Sequence, residues 1–118
     1  WRLQKMPDVT FFEARKEGEL VGFKIGYALN ATRYYSWLGG VDPACRRHGI
    51  AQELMDRQHA WIAQHGFTSV ETGAQQDNLA MTRLNLVNGF KAVGIRFKEL
   101  GPEITYEKRL NEEFVAKI

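Results

Sequence analysis

The sequence predicts an α/β fold of the α+β type: a mixed, mostly antiparallel sheet flanked by helices, in one domain spanning residues 1–118. Three observations predict it. Strand patterns follow one another from Val9 to Val41, with a clean period of two in Val21 to Leu29. At Ile50 the apolar spacing changes to that of a helix, and strand and helix patterns alternate from there. Three Trp, four Tyr and seven Phe supply core material well beyond what a disordered chain carries.

The elements follow in order. Val9 to Arg15 is rich in Thr and Phe and reads as a strand. Lys16-Glu17-Gly18-Glu19 is a polar turn, and Val21, Phe23, Ile25, Tyr27 and Leu29 share one face of the next strand, completing a hairpin. Asn30 to Arg33 turns the chain into Tyr34 to Val41, which is more apolar throughout and is therefore expected to be central. Gly39 and Gly40 near its end suggest a bulge or a close approach by another backbone or a ligand. Pro43 should stop the strand.

From Ile50 the residues Ile50, Leu54, Met55, Trp61 and Ile62 lie on one side of a helix that Gly66 ends. Thr68 to Thr72 is a short strand. Asp77 or Asn78 caps a second helix that carries Met81, Leu84 and Val87 inward and stops at Gly89. Phe90 to Lys98 returns to strand with Val93, Ile95 and Phe97 in phase. After the Gly101-Pro102 turn, Ile104 to Leu110 forms the last strand. The predicted order is β-β-β-α-β-α-β-β.

The net charge of +2 is too small for a nucleic-acid face and suits one local anion site. A single cysteine excludes an internal disulfide. No apolar run approaches the roughly 20 residues that span a bilayer, and no signal-peptide pattern opens the chain. A cytoplasmic protein is expected. Trp1 to Met6 lacks an initiator Met and reads like the tail of a longer protein.

The most informative stretch runs from Val41 to Ala51: Val-Asp-Pro-Ala-Cys-Arg-Arg-His-Gly-Ile-Ala. A strand here feeds a Gly-containing loop at a helix start. The first N–H groups of a helix lack partners and sit at the positive end of its dipole, so the place suits an anion. Arginines add forked, bidentate charge. Cys45 between cations would need a His or Asn partner to act as a nucleophile, and none is evident. His59 and His65 are six apart, the wrong spacing for a metal pair on one helix face. No metal site is expected. Neither a Walker-type phosphate loop nor a dinucleotide Gly-x-Gly-x-x-Gly occurs.

Arg46-Arg47-His48-Gly49-Ile50-Ala51 fits the pattern Arg/Gln-x-x-Gly-x-Gly/Ala, and 27 residues after Ala51 comes Asn78-x-x-Met81-x-x-x-Asn85-x-x-x-Gly89-Phe90. These two spaced motifs resemble the signatures of the GNAT superfamily of acetyl-CoA-dependent N-acyltransferases. The resemblance covers roughly Val9 to Leu110. The family usually has one more strand and one or two helices before the hairpin, and residues 1–6 would be the end of the second of those helices.

The resemblance implies a splayed sheet and a set of roles. Arg46, Arg47, His48, Gly49, Ile50 and Ala51 would wrap the CoA pyrophosphate, mainly through backbone N–H groups. Gly39, Gly40 and Val41 would pair with the pantetheine arm like an added strand. An N–H at or near Val41 would polarise the thioester carbonyl. Asn78 would contact the pantetheine or the phosphates. Many members carry a Tyr as general acid where this chain has Asn85, which can hydrogen-bond the sulfur but not protonate it. Glu71 is the candidate base for the acceptor ammonium, against the plainer reading of a solvated carboxylate. The expected partners are acetyl-CoA and an amine acceptor, with no nucleic acid and no membrane, and a homodimer is compatible with this reading. A CoA-binding module without turnover is the alternative.

Overall fold

The structure, a computed structural model, describes residues 9–110. The expectation for residues 1–6 lies outside them. The elements are β1 (Thr10–Lys16), β2 (Glu19–Ala28), β3 (Arg33–Val41), α1 (Ile50–Gln64), β4 (Ser69–Gln75), α2 (Leu79–Val87), β5 (Lys91–Lys98) and β6 (Gly101–Arg109). A single 3-10 turn, Pro43–Cys45, joins β3 to the loop before α1. The order matches that read from the sequence.

The six strands form one sheet in the order β1-β2-β3-β4-β6-β5. Every pairing is antiparallel except β3 with β4. A parallel pair needs a crossover, and α1 supplies it. Tyr34, Met55, Ile62, Val70, Ala74, Phe90 and Tyr106 form the buried core, with Met81 and Leu84 of α2 packed against it. Both helices therefore cover the same face of the sheet.

Local chemistry explains the boundaries. Pro43 opens the 3-10 turn, and the Asp42 carboxylate accepts from Ala44 N–H at 2.9 Å. At the end of α1, Gly66 has φ 87°, Gly66 N–H reaches Ala63 O at 3.3 Å and Phe67 N–H reaches Ile62 O at 3.2 Å. This pair of bonds is a Schellman stop. Asn78 caps α2, its side chain accepting from Met81 N–H at 3.1 Å.

Several sequence expectations need correction. Val87 is 73% exposed, and the buried position of α2 is Asn85. β5 forms as expected, but as an edge strand it is exposed along its whole length, and a bulge at Val93 breaks its phase with Ile95 and Phe97. On α1, Gln58 and His59 are buried beside the predicted apolar positions. Of the aromatic run on β3, only Tyr34 is in the core; Tyr35 and Trp37 line a cavity on the opposite face. The helix-facing side of β2 carries Gly22, Lys24 and Gly26. A Cβ on Gly22 would meet Ile50 and Leu54 of α1, and Gly26 and Lys24 share that side by alternation. Val21, Phe23, Ile25, Tyr27 and Leu29 do share one face, which is the face away from the two helices.

Candidate functional site

The centre of the sheet is split. β3 and β4 pair only from Arg33 with Ser69 to Ser36 with Thr72. Beyond that point β3 continues to Val41 paired with β2, and β4 continues to Gln75 paired with β6. Two strand edges thus face each other without pairing. The cause is a bulge: β2 pairs Ile25 with Leu38 and Gly26 with Ser36, leaving Trp37 as an extra residue in β3. A bulge bends its strand and breaks the ladder locally.

The phase of the β2–β3 ladder decides which groups face the split. Asp42 N–H donates to Val21 O at 2.8 Å. Hydrogen-bonded and non-hydrogen-bonded pairs alternate along an antiparallel ladder. Gly22–Val41 and Lys24–Gly39 are therefore non-hydrogen-bonded pairs, and Val41 and Gly39 turn their N–H and C=O groups into the split. Gly40 belongs to a hydrogen-bonded pair with Phe23, so its backbone is turned toward β2. Of the three residues expected to meet a ligand with their backbone, the geometry presents Gly39 and Val41 and withdraws Gly40.

The mouth of the split is the loop into α1. Arg46 sends Nε back to Val41 O at 3.3 Å, bracing the strand end. Arg47 and Gly49 adopt left-handed φ values of 66° and 77°. Such residues curl successive N–H groups into a concavity suited to anions. Gly49 is the N-cap of α1 and offers no capping side chain. The first helical bond is Glu53 N–H to Gly49 O at 3.0 Å, and the N–H groups from Arg47 to Gln52 have no hydrogen-bond partner among the described residues. Gln52 extends the predicted set by one residue. A Cβ on Gly49 would meet nothing within 4 Å, so the concavity is open. Arg46, Arg47, His48 and Gly49 are exposed, and Ile50 and Ala51 form the first turn behind them.

α2 starts from the end of β4, on the other side of the split. The Asn78 carbonyl oxygen accepts the cap bond, and its amide NH2 is left to donate to a ligand. Asn85 is fully buried, and neither of its amide atoms has a partner among the described residues. It lies inside the helix-covered face and not on an exposed rim. Leaving such a group unsatisfied costs about 1–3 kcal/mol, so the fold carries a cost at this position.

The opposite face of the sheet holds a cavity of about 150 Å³ lined by Tyr27, Tyr35, Trp37, Glu71, Arg96 and Glu103, among others. Glu71 is in it, but its carboxylate forms an ion pair with Arg33. That hydrogen bond and the charge of Glu71 hold the Arg33 guanidinium above its ordinary pKa. Among the described residues no cluster of His, Cys, Asp and Glu could hold a metal ion, and no helix is long and apolar enough to cross a membrane.

A family model described as the acetyltransferase (GNAT) family matches residues 1–90. The chain belongs to the GNAT acetyltransferase family. Solved members have the same fold. A GNAT acetyltransferase from Elizabethkingia anophelis with acetyl-CoA bound is 13% identical, with a TM-score of 0.84 over 92% of this chain and 82% of that one. The ribosomal-protein-S18-alanine N-acetyltransferase of Escherichia coli is 18% identical, with a TM-score of 0.80 over 88% of this chain and 70% of that one. The PaiA N-acetyltransferase of Thermoplasma acidophilum in complex with coenzyme A is 18% identical, with a TM-score of 0.76 over 92% of this chain and 65% of that one. No curated protein matches the chain in sequence. In this GNAT chain, Trp37, Lys24, Gln52 and the pairing of Glu71 with Arg33 were not legible as site features. Trp37, Lys24 and the Glu71–Arg33 pair depend on a register or a cross-strand contact that spacing along one chain does not encode, whereas Gln52 follows from where the first helical bond falls.

Proposed function

We propose that this chain transfers an acetyl group from acetyl-CoA to a primary amine by direct attack on the thioester. The observation that carries the reading is the split sheet ending at an uncapped helix start, in a member of the GNAT family. A CoA-shaped ligand needs an anion cradle for its pyrophosphate and an extended edge for its pantetheine arm. The N–H groups of Arg47 to Gln52 suit the first, and the N–H groups that Gly39 and Val41 turn into the split suit the second. That acetyl-CoA and coenzyme A occupy related folds supports the same donor here.

In this reading the acceptor approaches from the cavity face, where Trp37 and Gly73 stand beside the point at which the strands part. Its neutral nitrogen attacks the thioester carbonyl, and the developing oxyanion is stabilised by the N–H of Val41 or Gly39. The C–S bond then breaks, with the electron pair leaving on sulfur. Holding the reactants in place contributes effective molarities of about 10⁵ M and upward, whereas proton transfer contributes about 10²- to 10⁴-fold. Asn85 in place of a tyrosine therefore lowers the rate without removing the reaction. The same Asn85 favours the second reading, a CoA-binding module without turnover.

Incubation with acetyl-CoA and a panel of amines, followed by release of free thiol, tests the proposal. Thiol release that depends on the amine is the expected result. Absence of CoA binding in calorimetry overturns both readings, and binding without transfer to any acceptor selects the second.

A further inference from the structure

Lys24 is a buried lysine that the reading above does not use. It is 8% exposed and forms no ion pair among the described residues. It stands on β2 directly opposite Gly39 of β3, in a non-hydrogen-bonded pair, where Cα atoms approach most closely. A Cβ on Gly39 would lie 3.7 Å from Lys24 Nζ and 3.7 Å from its Cγ. The side chain therefore crosses the bare Cα of Gly39 on the helix-covered face. It carries its ammonium from β2 toward the edge that borders the split.

The other titratable groups of this interior are occupied or silent. His59 of α1 is neutral, its pKa lowered to about 3 by burial and then by Lys108 and Lys24. Lys108 of β6 donates to His59 Nδ1 at 3.4 Å. The Tyr34 hydroxyl shares a hydrogen bond with Thr10. Burial lowers Lys24 itself to about 8, with no carboxylate among the causes. A lysine in that state is still mostly protonated near neutrality and gives up its proton readily.

Resting on the acetyl-CoA reading, we propose that Lys24 is the acid that protonates the departing CoA thiolate, the task that Asn85 cannot perform. As the C–S bond breaks, its electron pair goes to sulfur. The Lys24 ammonium gives one proton to that sulfur, forming the thiol and a neutral amine. The proton lost from the acceptor nitrogen enters solvent, and Lys24 regains one from solvent, so the overall reaction consumes and releases none.

The test compares wild type with Lys24→Met and Lys24→Gln. Calorimetry with CoA comes first, and all three proteins are expected to bind. The thiol pKa of bound CoA, followed by thiolate absorbance, should be lower in wild type than in either variant by about one unit or more, because a nearby cation favours the anion. In turnover, kcat should fall about 10²- to 10⁴-fold in both variants, with KM for acetyl-CoA nearly unchanged. The wild-type rate should decline above about pH 8 as Lys24 loses its proton, and the variants should lack that decline. Failure of wild type to bind CoA overturns the donor reading and this proposal with it. An unchanged thiol pKa in variants that bind CoA overturns the role of Lys24 alone, with or without turnover. Lys24→Gln keeps a polar head on the side chain and carries the test should Lys24→Met fail to fold.

Discussion

Gly49 combines a φ of 77° with open space where a side chain would project. Both properties serve an anion cradle, since a β-branched residue would be strained there and would fill the approach. Gly49→Val is expected to weaken CoA binding about 100-fold or more, a loss of about 3 kcal/mol. Calorimetry measures the affinity, and circular dichroism checks that the fold is kept. Wild-type affinity in this variant would remove the loop from the site. Arg46→Ala should cost only about 1–3 kcal/mol of binding, because several N–H groups remain. Its Nε is already bonded to Val41 O, so part of any loss would come through the strand end it braces. Glu71→Gln should reduce kcat modestly if the ion pair with Arg33 is structural; a loss approaching 10³-fold would restore Glu71 as the base.

At the scale of elements, the order of strands and helices was readable because local chemistry marks each boundary. Pro43, Gly66, Asn78 and Gly89 punctuate the chain for reasons confined to a few residues. The anion loop was readable for the same reason: its donors are consecutive. The split was expected from the family resemblance and not from spacing along the chain, since it depends on one extra residue, Trp37, in a ladder between distant strands. The burial of Gln58, His59 and Asn85 was not readable, because polar residues on a helix normally mark its solvent face. One polar contact ties the two helices together. Gln52 Nε2 donates to Asn88 Oδ1 at 2.6 Å, and Asn88 Nδ2 donates to Gln52 Oε1 at 2.8 Å. This reciprocal pair holds the first turn of α1, and hence the uncapped N–H groups, against the end of α2. Asn88→Ala should cost about 1–3 kcal/mol, since it leaves a half-buried amide unpaired. A double-mutant cycle with Gln52→Ala should show coupling of about 0.5–3 kcal/mol in urea unfolding. Additive losses would mean that the contact is incidental.

The stability of the whole molecule should depend on pH through the two groups whose charge the interior opposes. His59 has a folded pKa of about 3 against 6.5 in the unfolded chain. Above pH 6.5 both states are neutral at this residue and stability is unaffected. Below it the unfolded chain takes up the proton and the folded one does not, so stability falls with pH across the window from about 6.5 to 3, by up to about 1.4 kcal/mol per unit. Lys24 acts on the alkaline side, with a folded value of about 8 against 10.5. Below pH 8 both states carry the charge, and the folded one bears the full cost of burying it. As pH rises from 8 to 10.5 the folded lysine is discharged first, and stability rises by about 3 kcal/mol in the limit. Against a total of roughly 5–15 kcal/mol for a domain of this kind, either term is large enough to measure. Urea unfolding at pH 5, 7 and 9.5 separates them: His59→Leu should flatten the acid side only, and Lys24→Met should raise stability at pH 7 while removing the alkaline gain. A Lys24→Met protein less stable than wild type at pH 7 would mean that the lysine stem contributes more by packing than its charge costs. Removing the charge then tests one trade-off from both ends, since the substitution expected to slow thiol release is also expected to stabilise the fold.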